Sequence, residues 1–409
     1  MKFFLETFGC TQNKSDSEAV KALLLSNGFK ETTEKKANLI LINSCGVKDH
    51  TEAKILSRLK KLNGSKVIVF GCLPKISPGK IKEANGHALL LGPKPLKELH
   101  EIFSLKPQES YVEASSSPFV KIISISDGCL GNCSYCATKF ARGNLKSKNI
   151  NEINSEFMQA LEKGFKEFWL TSQDTGCYGF DKKTNLIELI ETLLKNEGNY
   201  RIRIGMMNYN HVKGMKKQLI KIFSSPKVFQ FLHLPLQSGS NRILSLMNRG
   251  YKAKEFISFV KSLRKELPLL TLSTDIIVGF PTESEKDFQE TIKAIKALEP
   301  DIVNVSKFSE RPGIKALELF PKVSGPEKKN RSTLLSSLCH ELSLKRNKLL
   351  EDSLQEVFFS EKGKKGFVGR TFNYKHVVTE KNMLGRRVKV KLMKAFPNYL
   401  SCKAVKECF

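Results

Sequence analysis

Long apolar runs are missing from this chain. Nothing comes near the ~18 consecutive apolar residues of a membrane-spanning helix, and Met1-Lys2-Phe3-Phe4-Leu5-Glu6 meets an acid too early for a signal peptide. The expected location is the cytoplasm, with no membrane partner. Cysteine is sparse, 10 in 409 residues, which is too few for a disulfide scaffold and suits a reducing compartment. Acid is also short: 41 Asp and Glu against 68 Lys and Arg leave a formal charge of +27. A surplus of this size points to a polyanionic partner, most simply nucleic acid; a solvated lysine-rich surface is the alternative. With 40% hydrophobic and 27% charged residues, a disordered, collagen-like or mucin-like build is excluded. The length allows two or three domains.

The first hundred residues alternate strand-like and helical runs. Residues 2–8, 39–42 and 67–70 read as strands, with helical periods over 15–26 and 52–62. Strands separated by helices imply right-handed crossovers and a parallel sheet, with the active loops along one edge. After a Pro- and Ser-containing linker at 106–118, strand-like runs recur at βα spacing: 120–126, 167–172, 201–206, 228–236, 271–278 and 302–308. An open, partial (βα)6 barrel fits, and a doubly wound sheet is the alternative. From about Lys345, short β-rich pieces and close turns predict a small β-barrel. Residues 345–409 carry sixteen basic against six acidic side chains, which suits a nucleic-acid platform or, again, a solvated lysine surface. The expected fold is therefore α/β multidomain, divided at 1–108, 117–344 and 345–409.

Cys10, Cys45 and Cys72 each lie two or three residues past a predicted strand of the first domain. In a parallel sheet they should converge, as a metal site or merely as three small apolar residues. Cys129, Cys133 and Cys136 are packed together just after the first barrel strand. Three thiolates on one loop can bind three irons of a [4Fe–4S] cluster and leave the fourth iron open. S-adenosylmethionine (SAM) can chelate that iron through its amino and carboxylate groups; one electron then cleaves the S–C5′ bond to give a 5′-deoxyadenosyl radical. Tyr135, beside the last ligand, is placed to pack against the adenine. A zinc knuckle is the alternative, but zinc usually takes four ligands and no fourth Cys or His follows nearby. Cys177, Cys339, Cys402 and Cys408 show no ligand spacing and read as buried or free thiols.

Gly128-Cys129 through Cys136, followed by Arg142-Gly143, resembles the radical SAM signature of the methylthiotransferases. The likeness spans essentially the whole chain. Phe8-Gly9-Cys10-Thr11-Gln12-Asn13, Asn43-Ser44-Cys45-Gly46-Val47 and Gly71-Cys72 are similar to the three cysteine motifs of that family's N-terminal domain. Leu170-Thr171-Ser172-Gln173-Asp174-Thr175, Leu234 to Gly239, Ser273 to Pro281 and Asn304 to Gly313 resemble its strand-end motifs, and Val368 to Leu400 its appended RNA-binding TRAM domain. The resemblance implies two [4Fe–4S] clusters, one held by Cys129, Cys133 and Cys136 and an auxiliary one by Cys10, Cys45 and Cys72. It implies that one SAM methylates a sulfur on the auxiliary cluster and another generates the radical that activates a C–H bond. Ser172, Gln173, Asp174, Asp275 and Gly279 lie where strand ends should meet SAM; for Asp174 and Asp275 the alternative is a carboxylate that fixes a loop or caps a helix. Arg142 and Arg311 are offered as holders of substrate phosphate or the SAM carboxylate, with ordinary salt bridges as the alternative.

The family divides between tRNA adenosine-37 and a ribosomal-protein aspartate as acceptor. The basic surplus and the terminal barrel favour tRNA, with phosphate contacts for affinity and one unstacked anticodon-loop base entering the pocket. Ser172 to Thr175 together with Ser306 to Ser309 resembles the archaeal and eukaryotic branch, which acts on N6-threonylcarbamoyladenosine. The expectation is a monomeric transferase that adds a methylthio group to C2 of that nucleoside in the anticodon stem-loop. Its sulfur and electron donors are unidentified. N6-isopentenyladenosine, the protein aspartate, or a non-catalytic iron–sulfur RNA-binding role are the alternatives. A threonylcarbamoyl carboxylate calls for a cation that the sequence does not assign. Two motifs depart from the family pattern: Met206-Met207-Asn208-Tyr209 has Tyr for the expected Pro, and Phe280-Pro281-Thr282 has Thr for the expected Gly.

Overall fold

The computed structural model describes residues 1–62, 65–106, 113–364 and 366–407; the side chains of 405–407 are not described, and residues 107–112 of the expected linker fall outside these segments. The chain forms two compact units. The first comprises Met1–Ser116, Asp127–Lys146 and Ser309–Leu317, and the second Ser117–Ser126, Ser147–Phe308 and Glu318–Phe409.

In the first unit, Lys2–Thr7, Leu39–Ser44 and Val67–Gly71 are neighbouring parallel strands, as the apolar runs predict. Two-residue strands at Lys30–Glu31 and Leu89–Leu90 complete a five-stranded sheet. The strands are apolar at successive positions because both faces are covered. Ile40, Ile42, Val67 and Val69 enter one core with Ile55 and Leu59, whereas Phe3, Leu39, Leu41, Ile68 and Phe70 enter another with Val20 and Leu24.

In the second unit, six parallel strands follow one another in chain order. Val120–Ser124, Glu167–Thr171 and Arg201–Arg203 form one ladder, and Phe231–His233, Thr271–Val278 and Ile302–Lys307 a second. A parallel bridge from Ile202 to Val228 joins the two. Each strand adds on the same side, so this is the partial barrel and not the doubly wound sheet, whose order would reverse. One face of the strands (Ile123, Phe168, Leu170, Ile202, Leu232, Leu272, Ile276) packs into the main core with the surrounding helices. Alternation turns Ile122, Trp169, Arg203, Phe231, His233, Asp275 and Asn304 to the other face, the barrel lumen.

The helix Gly325–Lys348 leads into a closed barrel of five strands, Leu354–Gly363, Gly366–Arg370, His376–Thr379, Arg387–Ala395 and Leu400–Glu407. The sequence reading misses Gly366–Arg370 as a strand, because glycine is a poor strand former. Here its lack of a side chain is required: a Cβ on Gly369 would lie 2.4 Å from Val357 Cγ1 in the narrow interior.

Candidate active site

Cys10 precedes the helix Thr11–Ser26, and Cys45 and Cys72 directly follow the strands Leu39–Ser44 and Val67–Gly71. Parallel pairing of Thr7 with Asn43 and of Ser44 with Gly71 sets the three loops side by side. A Cβ on Gly9 would stand 3.0 Å from Cys45 Cβ, so only glycine admits this approach. Asn13 ties the loops together: its Nδ2 donates to Phe8 O, Asn43 Oδ1 and Ser44 O at 3.0–3.2 Å, while its Oδ1 accepts from Cys10 Sγ at 3.4 Å. Burial pushes the Cys45 thiol up and the Cys72 thiol up to about 11; the charges of neighbouring thiolates in the trio push the same way. Three thiols on adjoining loops are a donor set that a metal cluster would deprotonate and neutralise.

The second trio lies on the loop closed at its neck by Cys129 N donating to Gly143 O at 3.3 Å. Gly131 N donates to Cys129 Sγ at 3.1 Å, and a Cβ there would lie 3.2 Å from Cys129 Sγ and 3.8 Å from Cys133 Sγ. The backbone thus leaves a cradle that any side chain would fill. Cys136 N donates to Cys133 O at 3.2 Å, Lys139 Nζ bonds Cys129 O, and Cys136 begins the helix Ala137–Arg142. Burial raises the Cys136 thiol, and the Cys133 charge adds to this. Tyr135 is half-buried on the same loop. Both trios belong to the first unit and fit thiolate-ligated clusters by donor type and number.

Arg142 and Arg311 are also in the first unit, and both are in ion pairs, the alternative the sequence left open. Arg142, 2% exposed, bonds Asp16 Oδ2 at 2.5 Å, Asn13 Oδ1 at 3.2 Å and Cys72 Sγ at 3.4 Å. Arg311 pairs with Glu52 at 2.8 Å and Asp49 at 2.9 Å and donates to Gly46 O at 2.7 Å.

Of the remaining candidates, Ser172, Gln173, Asp174 and Gly279 follow strand ends of the second unit, whereas Asp275 lies within the strand Thr271–Val278. Asp174 Oδ1 accepts from Gly176 N at 2.9 Å and Asn208 N at 3.0 Å, and its Oδ2 meets His211 Nδ1 at 2.7 Å. This geometry fixes a loop and caps the short turn Thr175–Cys177. Ser172 Oγ accepts from Asp174 N at 3.1 Å, whereas the buried Oε1 of Gln173 has no partner among the described residues. Asp275 meets His233 Nε2 at 3.1 Å and accepts from Asn304 Nδ2 at 2.7 Å. Gly279 has φ +70, donates to Glu283 Oε2 at 2.6 Å, and would carry a Cβ 2.3 Å from Lys328 Cγ. Of these five, then, Ser172, Gln173 and Asp174 share one loop, and Asp275 belongs to a lumen network.

The sequence reading missed that lumen network. Arg203 lies over Trp169, Phe231 and Tyr374 at 5.0–5.6 Å from the ring centres, and among the described residues its buried Nε has no hydrogen-bond partner. The available signal was polar residues at every second strand position, against apolar neighbours committed to the core. The Tyr209 departure is explained locally: its ring packs edge-on to Tyr251 and Phe259 at 5.1–5.3 Å, at a first helical position that proline would also suit.

Residues 123–295 match the radical SAM superfamily, and residues 2–92 match a group described as uncharacterized protein family UPF0004. A probable threonylcarbamoyladenosine tRNA methylthiotransferase of Pyrococcus horikoshii is 39% identical over 421 residues, covering 98% of both chains. The threonylcarbamoyladenosine tRNA methylthiotransferase of Homo sapiens is 33% identical, covering 99% of this chain and 74% of its own. Among solved structures, the radical SAM methyltransferase TsrM of Kitasatospora setae aligns with a TM-score of 0.55 at 13% identity, over 77% of this chain and 76% of its own, a likeness of fold alone.

Proposed function

The chain belongs to the radical SAM tRNA methylthiotransferases, and from that premise we propose that it replaces the C2 hydrogen of N6-threonylcarbamoyladenosine at tRNA position 37 with a methylthio group. The observation that carries this reading is the convergence of Cys10, Cys45 and Cys72 at one sheet edge. Sulfur transfer needs such a trio in addition to the Cys129, Cys133 and Cys136 loop. Each trio would hold one [4Fe–4S] cluster and leave it one protein ligand short. When bound, the clusters supply the electron that cleaves SAM and the sulfur that is transferred.

The chain's own residues bind and orient the substrate. The buried rings of Trp169 and Phe231 hold Arg203 in place beneath the substrate. Arg203, with no acid partner among the described residues, is the lumen cation suited to the threonylcarbamoyl carboxylate. His233, Asp275 and Asn304 present a hydrogen-bonding edge. Lysines of the terminal barrel supply phosphate contacts to the anticodon stem-loop.

Anaerobically reconstituted protein, given SAM, reductant, sulfide and tRNA lacking the modification, tests this by mass spectrometry of the digested nucleosides. The 2-methylthio derivative of N6-threonylcarbamoyladenosine is expected. SAM cleavage with an unchanged nucleoside pool would overturn the reading.

A further inference from the structure

Arg142 lies six residues past Cys136, on the helix that closes the second cysteine loop, yet its guanidinium belongs to the first trio. Its Nε donates to Cys72 Sγ at 3.4 Å, and its NH2 group bonds Asn13 Oδ1 at 3.2 Å and Asp16 Oδ2 at 2.5 Å. Asn13 Oδ1 is also the acceptor for Cys10 Sγ, so one side chain reaches two of the three N-terminal cysteines, one directly and one through an amide. That amide cannot turn away, because three acceptors hold its Nδ2. Asp16 and Arg142 are 5% and 2% exposed at the side chain, so water screens neither the pair nor the N–H···S bond.

We propose that Arg142 is a positioning residue through which the radical-cluster loop fixes the auxiliary cluster and tunes its reduction potential. The inference rests on the two-cluster reading above. Its physical basis is charge. A cluster on three thiolates gains negative charge on reduction, and a buried cation hydrogen-bonded to a ligand sulfur favours that state. Asp16 opposes the cation and keeps the guanidinium aimed at Cys72. The same contact makes the geometry of one cysteine loop depend on the other, since Arg142 has the helix that follows Cys136 at its base and Cys72 at its tip.

The test uses full-length protein carrying Cys129→Ala, Cys133→Ala and Cys136→Ala, so that only the N-terminal trio can bind a cluster. After anaerobic reconstitution, iron content and an EPR-monitored redox titration are compared with and without Arg142→Gln, Arg142→Lys and Asp16→Asn. We expect Arg142→Gln to disfavour reduction by about tenfold, ~59 mV lower for a one-electron couple, and Asp16→Asn to shift the potential upward. Arg142→Lys should fall between the parent and Gln, since one ammonium cannot span Asp16 and Cys72 together. Opposite shifts from the two partners would not arise from mere loss of packing. An unchanged potential in Arg142→Gln, or shifts of the same sign in Arg142→Gln and Asp16→Asn, would overturn the assignment. If the Gln variant takes up no iron, the Lys variant decides, and a potential equal to the parent's overturns it. A parent that binds no four-iron cluster would instead refute the two-cluster reading itself.

Discussion

Arg370 and Glu167 pair at 3.1 Å with side chains 3% and 1% exposed, and they join the terminal barrel to the N-terminal end of a (βα)6 strand. Ser360 Oγ donates to Glu167 at 3.0 Å, and Arg370 also lies 4.8 Å over Trp169. A second buried anchor runs from Lys375 to Asp301 at 2.6 Å. The terminal barrel is therefore fastened to the floor of the lumen, so removing it would strip Glu167 of its cation and Asp301 of one, leaving Asp301 paired with Arg264 at 2.7 Å.

Arg370→Met should destabilise the protein by about 3–5 kcal/mol in urea unfolding, because it leaves Glu167 buried without its cation. Adding Glu167→Gln should recover part of the loss. A change under about 1 kcal/mol in the single variant would mean that Glu167 finds another partner or water.

Surface lysines give a cleaner probe of RNA binding than truncation. Lys391, paired with Asp352 at 2.9 Å, faces Lys403 across the antiparallel pair, and Lys389 is exposed on the same strand as Lys391, so basic side chains cluster on this surface. Lys389→Ala and Lys403→Ala should each weaken tRNA binding and reduce the salt slope by roughly 0.9 per lost phosphate contact. Filter-binding titrations over a salt series measure this; unchanged slopes would place the RNA elsewhere.

Thr282 stands where the family pattern has glycine, and it holds φ +68, the left-handed region that a β-branched residue resists. Thr282→Gly should raise stability by about 1 kcal/mol, since the strain relieved is roughly 1–2 kcal/mol. The exposed bond from Arg242 NH1 to Thr282 Oγ1 at 3.1 Å is lost, while the bond from Arg242 NH2 to Thr282 O remains. Thermal unfolding checks the sign.

Burial raises the Asp287 carboxyl, but hydrogen bonds from Arg242, Ser240 and Ser284 outweigh it and hold the group well below the usual range. A carboxylate depressed in the folded state adds stability above its ordinary pKa and loses it as pH falls through the folded value. Between about pH 5 and about pH 3, the unfolding midpoint should therefore drop more in the parent than in Asp287→Asn. Equal drops would show that the network contributes nothing.

Iron analysis addresses the cluster arithmetic. Two four-iron clusters predict about eight irons per chain, falling by about four when Cys10, Cys45 and Cys72 are all changed to Ala. A variant with its full iron complement would show that the N-terminal trio binds none.

The strands and the cysteine loops were legible because their signals are local. Leu39–Ser44 and Glu167–Thr171 declare themselves by apolar run and β-branched or aromatic content, and the spacing of Cys129, Cys133 and Cys136 is contained in eight residues. Gly366–Arg370 was not legible, since what makes it a strand is the crowding of Gly369 against Val357 across the barrel. Asp174 and Asp275 were visible as polar residues after or within predicted strands, but their partners, His211 and His233, lie 37 and 42 positions away.

By itself, the sequence determined the parallel βα architecture, the basic terminal barrel and the two groups of three thiols, because periodicity, charge and short spacings survive without coordinates. Tertiary structure alone decided that the Arg142 guanidinium serves Asp16 and Cys72, that Arg203 stands among rings with no acid partner among the described residues, and that Arg370 meets Glu167. Each depends on segments up to 203 residues apart packing until water is excluded, and the strength of a charge's interactions is set by that exclusion.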